Sequence, residues 1–338
     1  MTQNNAQIIS EASSYQAYLE EAKRAVDSEL KTLMHTIARL RLHDQIEYVL
    51  TTEGKRLRSA LVMLSGQSVG GKPECLRKLA LAIELVHTAT LVHDDILDHD
   101  LFRRNGLSVQ AKYGLREAVL VGDALASLSI SLVRDYKREI LDVLANTCLM
   151  LSDGEYMDVE MSSSGLSERD YLEKVRKKSA ALFKAAAACG GLAGDGSAFE
   201  VECLARFGED YGIAFQIKDD IADIASLENF EESQVPSDLR EFKATLPIVH
   251  LYETAGTEVQ ELLEKLMSSK KKSYAEKHLF LSELLGNLGN SGSLLYCDGK
   301  ADFYINLAIA SLSGLKDSVF KSHLIQMAQA LKLRCPAY

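Results

Sequence analysis

Proline is scarce in this chain: only Pro73, Pro236, Pro247 and Pro336 occur among 338 residues, so long helices are seldom forced to break. No Pro/Gly-rich stretch divides the sequence. That predicts one domain over residues 15–338, preceded by a loose polar segment, 1–14. No run approaches 18 uninterrupted apolar residues, and no membrane span is expected. The opening MTQNNAQIISEASS lacks the basic stretch and apolar core of a secretory signal. Six cysteines stand at 75, 148, 189, 203, 297 and 335 without pair spacing. They read as reduced, mostly buried thiols of a cytoplasmic protein. Cysteine and histidine never pair at zinc-ligand spacing, and no alternating D-x-D-x-D-G loop offers an EF-hand. Basic charge is also short: 38 Lys and Arg against 48 Asp and Glu leave a formal charge of −10. A nucleic-acid footprint is not expected from that balance. Sustained two-residue alternation is absent, so the fold is predicted to be all-α.

What the chain does have is an apolar helix that ends in acid. In residues 79–98, LALAIELVHTATLVHDDILD, the apolar positions Leu79, Ala82, Ile83, Val86, Ala89 and Ile96 recur at threes and fours. Asp94, Asp95 and Asp98 follow at its end, with Asp94 and Asp98 one turn apart on one face. Like charges at that spacing repel by roughly 0.2–0.5 kcal/mol per exposed pair. A helix rich in Leu, Val and Ile gains nothing structural from them, so a cation is expected there. The pattern returns at Asp219, Asp220 and Asp223 within FQIKDDIADI. One such triad reads as a solvated helix face, but two copies, each among apolar residues, argue for metal. Hard divalent cations take oxygen ligands, and Mg²⁺ typically uses one or two carboxylates together with substrate phosphates.

Basic residues gather at several points along the same chain. Lys55, Arg56 and Arg58 crowd the start of a helix in TTEGKRLRSALVML, where they oppose its dipole. Arg103 and Arg104 follow the first triad in HDLFRRNG, and guanidinium groups make forked bonds to phosphate oxygens. GEYMD (154–158), KKSAALF (177–183) and DLREFKATLP (238–247) complete the series.

With these motifs in this order and spacing, the chain resembles the trans-isoprenyl diphosphate synthases, or polyprenyl synthetases, from about residue 19 to 335. The resemblance implies a single-domain helical bundle of the isoprenoid-synthase type, with a central substrate cavity across which the two triads face one another. It implies Mg²⁺, three ions per active site, held by Asp94, Asp95, Asp98, Asp219, Asp220 and Asp223. Isopentenyl diphosphate would be bound by Lys55, Arg58, His87 and Arg104. The allylic diphosphate would be bound by Arg103, Lys178 and Lys243, and Ser179 and Gln216 join the substrate-binding set. Asp94, Asp95, Asp98, Lys178 and Asp219 would carry catalysis, a 1′-4 condensation that lengthens an allylic chain by five carbons. A homodimer is implied as well.

Product length follows from Ala89 and Thr90, one turn before Asp94, with Val86 the next candidate floor. In the family, bulky aromatics at such positions stop growth early, so Ala and Thr predict products of C20 or longer. Departures also occur. Ser59 stands where Pro is usual, Asn105 where Gly is usual, Asp158 for the Gln of GExxQ, Ser233 for a diphosphate-binding Lys, and Phe242 for the Gly before Lys243. The last three remove a cation and add an anion on the allylic side, so weaker diphosphate binding is expected there. Two alternatives remain: a terpene cyclase of the same fold, which would not need the isopentenyl ligands, and a non-catalytic partner subunit. Residues 286–293, GNLGNSGS, are expected to form a loop.

Overall fold

The structure is a computed structural model. It describes the backbone of residues 2–51, 54, 56–103, 106–161, 167–225, 243–268 and 274–334, and their side chains except at 2–13, 161, 266–268, 274–281 and 334. Among these residues the chain is almost wholly helical, as the scarcity of proline predicts. Its contacts sort into two compact units. One comprises Met1–Cys148, Leu182–Gly208 and Ser311–Met327; the other comprises Leu149–Ala181, Glu209–Ala310 and Ala328–Tyr338.

The core of the first unit is α4 (Pro73–Leu97), which starts with proline at its first turn, where no backbone donor is lost. The apolar positions Leu79, Ala82, Ile83, Val86 and Ala89 are all buried. So are Leu76, Ala80, Leu81, Leu85 and Val92, and a helix apolar on nearly every side belongs in the middle of a bundle. It packs chiefly against α3 (Leu57–Ser68) and α6 (Leu115–Val133), with α1 (Thr2–Thr36) beside both α3 and α4. On α1, Ala22, Val26, Leu30 and Leu33 are buried as the helical period requires. The helix takes in residues 2–14, the segment expected to be loose, and it stops at Thr36. Leu40 is exposed. A separate helix, α2 (His43–Thr51), begins with Asp44 in its first turn, a favourable place for negative charge.

A two-stranded antiparallel ribbon, β1 (Phe102–Arg103) and β2 (Gly106–Leu107), pairs Phe102 with Leu107 and Arg103 with Gly106. Among the described residues it is a small exception within an otherwise all-α fold. α5 (Val109–Tyr113) follows, capped by Ser108, whose side chain accepts from Ala111 N.

α7 (Arg138–Met161) and α10 (Ala198–Ala225) each carry residues of both units. Between them α8 (Glu168–Val175) runs through a π-helical turn, Arg176–Ala180, into the Ala-rich α9 (Ala181–Ala193). The small residues of α9 allow close approach to α3: a Cβ on Gly190 would lie 2.4 Å from the carbonyl oxygen of Val62.

In the second unit, α11 (Leu246–Thr254) packs against α8, α12 (Thr257–Ser268) and α13 (Tyr274–Ser291). The loop expected over 286–293 is helix as far as Ser291. Gly292, with φ +72°, supplies the left-handed turn before α14 (Ser293–Ser311). Within α14, Cys297, Ala301, Tyr304, Ile305 and Ala308 are buried, as expected of a packing helix. α15 (Val319–Gln329) is the last α-helix among the described residues, and as far as Met327 it belongs to the first unit.

Candidate active site

The first triad sits where α4 runs out. Asp94 and Asp98 are half-buried, one turn apart, while Asp95 between them is buried. The Asp95 carboxylate accepts from Arg103 Nε at 2.6 Å and again from its Nη2. The ribbon holds Arg103 in place for this, and Asp100 stands 3.5 Å from the same guanidinium. Gln110 donates to the backbone carbonyls of Asp95 and Asp100, and Ser108 to that of Asp100. Burial pushes the Asp95 carboxyl up to about 6, although the Arg103 charge pulls against it.

The basic residues ahead of α3 divide into two jobs. Arg56 donates to the Leu50 carbonyl at 2.9 Å and meets Glu84 at 3.4 Å. Arg58 lies 3.1 Å from His87 Nε2, with its guanidinium over the Phe183 ring at 4.1 Å. Sequence reasoning picked the Arg58–His87 pair and missed both Glu84 and Phe183. Glu84, nearly fully buried, also accepts from the backbone N–H of Ser59 at 3.1 Å. Proline, usual at 59, could not make that bond. Lys55 and Arg104 lie outside the described residues.

In the second unit the triad repeats the arrangement. Asp219 and Asp223 are half-buried one turn apart, and Asp220 is buried. Its carboxylate accepts from Tyr171 Oη at 2.7 Å, Gln216 Nε2 at 2.8 Å and the backbone N–H of Leu246 at 3.1 Å. Gln216 in turn accepts from Ser179 Oγ at 2.7 Å. Ser179 and Gln216, expected in the substrate-binding set, here form the chain that orients Asp220. In both triads, then, the middle carboxylate, expected to be a metal ligand, is engaged by protein donors.

Lys178 stands in the π-helical turn, a local irregularity that recurs at functional sites. Gly154 on α7 lets the backbones meet there: a Cβ on it would lie 2.4 Å from Lys178 N. Lys178 pairs with Asp158 at 2.6 Å and Glu155 at 2.8 Å. Asp158 also binds Lys174 at 2.8 Å and stands 3.5 Å from Lys243. Burial alone would raise the Asp158 carboxyl, but the ammonium groups of Lys174, Lys178 and Lys243 hold it well below the usual carboxylate range. The anion that Asp158 adds therefore arrives with a cation the sequence reading had not counted, Lys174. Ser233 and Phe242 lie outside the described residues.

Among the described residues, no three Asp, Glu, His or Cys side chains converge at metal-holding geometry. The donor set still suits Mg²⁺. The outer carboxylates of each triad are hard oxygen ligands on one helix face, and such an ion takes only one or two of them when phosphate oxygens supply others.

A helical fold of this kind is that of an isoprenoid-synthase prenyltransferase. The chain belongs to the polyprenyl synthetase family, whose model matches residues 40–284. It is 32% identical over 288 residues to a short chain isoprenyl diphosphate synthase of Methanothermobacter thermautotrophicus, covering 83% of this chain and 87% of that one. It is 32% identical over 310 residues to a geranylgeranyl diphosphate synthase of Methanosarcina mazei, covering 90% and 93%. The solved decaprenyl diphosphate synthase of Rhodobacter capsulatus superposes with a TM-score of 0.87 at 27% identity, covering 96% of this chain and 99% of that one.

Proposed function

We propose that this chain joins isopentenyl diphosphate to an allylic diphosphate, 1′-4 and trans, giving a polyprenyl diphosphate of C20 or longer. The Arg58–His87 pair carries this reading. A cyclase consumes no isopentenyl diphosphate and has no use for a second diphosphate site, yet both residues of this pair are present, in contact, with Arg58 over the Phe183 ring. Among the relatives, a geranylgeranyl and a decaprenyl diphosphate synthase support this chain-length range, while another is named a short chain synthase.

In the mechanism, Asp94 and Asp98 of the first unit and Asp219 and Asp223 of the second would hold Mg²⁺. Bound Mg²⁺ would supply Lewis-acid stabilisation of the negative charge on a departing diphosphate. Arg103, Lys178 and Lys243 bind the allylic diphosphate and stabilise the charge that develops as its C1–O bond breaks. Asp95 and Asp220 aim these groups: one through Arg103, the other through the helix that carries Asp219 and Asp223. Arg58 and His87, with Lys55 and Arg104, hold isopentenyl diphosphate so that its double bond attacks the allylic cation. A new carbon–carbon bond forms, and a proton is lost from the adjacent carbon. Val86 and Ala89 are buried and Thr90 half-buried on α4, and their modest size leaves room for a long product.

Among the described residues no helix is long and apolar enough to cross a membrane. None of Cys75, Cys148, Cys189, Cys203 and Cys297 forms a disulfide, which supports a reducing, cytoplasmic location. Val119, Leu120 and Ile130 are exposed on α6 and support a homodimer. The test is incubation of purified protein with Mg²⁺, labelled isopentenyl diphosphate and dimethylallyl, farnesyl or geranylgeranyl diphosphate. Elongated product is expected. Diphosphate release without isopentenyl consumption would mean a cyclase, and no reaction with any primer, together with tight binding to another synthase, would mean a partner subunit.

A further inference from the structure

Lys174 belongs to none of the motifs, yet it lies at the centre of the charged cluster in the second unit. It is on the last turn of α8, 7% exposed, and both of its bonds point inward. One goes to Asp158 Oδ1 at 2.8 Å, the other to the backbone carbonyl of Ala244 at 3.0 Å. Lys178, four residues on, donates to Asp158 Oδ2 at 2.6 Å, and Lys243, the residue before Ala244, stands 3.5 Å from that oxygen. Two lysines four apart repel by a few tenths of a kcal/mol on a bare helix face. Here the carboxylate between them reverses the sign.

We propose that the buried Asp158–Lys174 pair positions Lys178 and Lys243 for the allylic diphosphate and sets how much positive charge they present to it. The inference rests on the reading of Lys178 and Lys243 as diphosphate ligands. Lys174 faces inward and does not touch substrate, so it acts through its neighbours. By binding Ala244 it fixes the backbone beside Lys243. By occupying Oδ1 it leaves only Oδ2 of Asp158 to hold the other two lysines.

Formal charge gives the direction. Among the described residues these contacts join Lys174, Lys178 and Lys243 to the carboxylates of Asp158 and Glu155, and that set of five groups carries one net positive charge. Without the Lys174 charge it would be neutral, and Asp158 would compete with the diphosphate for both remaining lysines. Without the Asp158 charge it would carry two. A pair that merely joined α7 to α8 would lose stability in either variant and would not move binding in opposite directions.

The experiment measures calorimetric binding of inorganic pyrophosphate with Mg²⁺, and KM and kcat for farnesyl diphosphate, in Lys174→Met, Asp158→Asn and the double variant. Lys174→Met should weaken binding and raise KM about tenfold, a size typical of losing one close charge pair. Asp158→Asn should tighten pyrophosphate binding and lower KM several-fold, while kcat falls because Lys178 and Lys243 lose their anchor. The double variant should return KM to near the wild-type value, and Lys174→Arg should retain it. Equal weakening in both single variants, or no change in either, overturns the inference. Should Lys174→Met not fold, Asp158→Asn decides alone, since unchanged or weaker pyrophosphate binding overturns the proposal. Lys178→Ala and Lys243→Ala separate the two levels. If neither weakens pyrophosphate binding, the reading of the site fails; if both do but the pair does not split, only the inference fails.

Discussion

The two aspartate triads share a spacing and a burial pattern but differ in what holds the middle carboxylate. Asp95 is engaged by a cation, the Arg103 guanidinium, while the donors described around Asp220 are a phenol, a carboxamide and a backbone N–H. In the first unit the acid therefore places a charged group, the one proposed above to bind substrate. In the second it places a helix. Both units depend on a further buried acid: Glu84 holds Arg56 and the start of α3, and Asp158 gathers three lysines. In the proposed site the outer aspartates are left to work on ligands, and the buried acids keep neighbouring groups in place.

The largest expected effect tests that division. Asp94→Asn and Asp219→Asn should each lower kcat by about a thousandfold, the scale of losing a group that stabilises developing charge. Both should leave thermal stability nearly unchanged. Asp95→Asn and Asp220→Asn should lower stability, by about 1–3 kcal/mol each, because buried hydrogen bonds are lost or reversed. Steady-state kinetics and urea unfolding on the four variants decide the matter. If a middle variant matches the outer ones in both readouts, the two roles are not distinct.

Much of this could be read from the sequence, and the parts that could not have physical reasons. The period of α4 and the repeat of the triads are local patterns, and the structure reproduces them. The fate of Asp95 and Asp220 was half legible: a residue next to Asp94 or Asp219 is turned about 100° around the helix, away from the face its neighbours share. What occupies that flank, Arg103 in one case and Tyr171 in the other, depends on packing. The π-helical turn at Lys178 has no sequence signature at all. Glu84 stood alone as an acid in an apolar run and should have been marked as a buried partner. Lys174, one turn before Lys178, lies outside every motif and carried no signal.

A second comparison uses the residue five before each triad, Ala89 on α4 and Ala214 on α10, both buried. Ala89→Phe should shorten the product spectrum with a modest loss of stability. Ala214→Phe should overpack the core, costing about 1–3 kcal/mol, without shortening the product. Product chromatography on both variants tests whether growth is limited along α4 alone. If Ala214→Phe also shortens the product, the tunnel assignment to α4 is wrong.

A smaller effect is expected at Ser59. Ser59→Pro restores the residue usual in the family, yet it removes the N–H that Glu84 accepts from. A buried acceptor left short of a donor costs about 1–3 kcal/mol, whereas Ser59→Ala keeps the N–H and should be nearly neutral. Chemical denaturation of the two variants separates the backbone bond from the side chain. Equal stability in both would mean that Glu84 holds Arg56 only.

The smallest effect is a pH dependence, and it contrasts buried acids of the two units. Asp95, with one guanidinium beside it, is pushed up to about 6 by burial. Asp158 is buried too, but three ammonium groups hold it well below the usual carboxylate range. A carboxyl depressed in the folded state contributes stability that is fully present above its unfolded value, about 3.9, and is lost as pH falls below that. Asp158 should therefore contribute its full share at pH 5 to 7 and lose it progressively below about pH 4. In Asp158→Asn that share is missing at every pH, so the gap in unfolding free energy between the two proteins should narrow on acidification. Urea titrations at pH 6, 5, 4 and 3.5 measure the gap. A gap that stays constant down to pH 3.5 would mean that the three lysines do not depress the Asp158 carboxyl, and the charge balance assigned to this cluster would have to be redrawn.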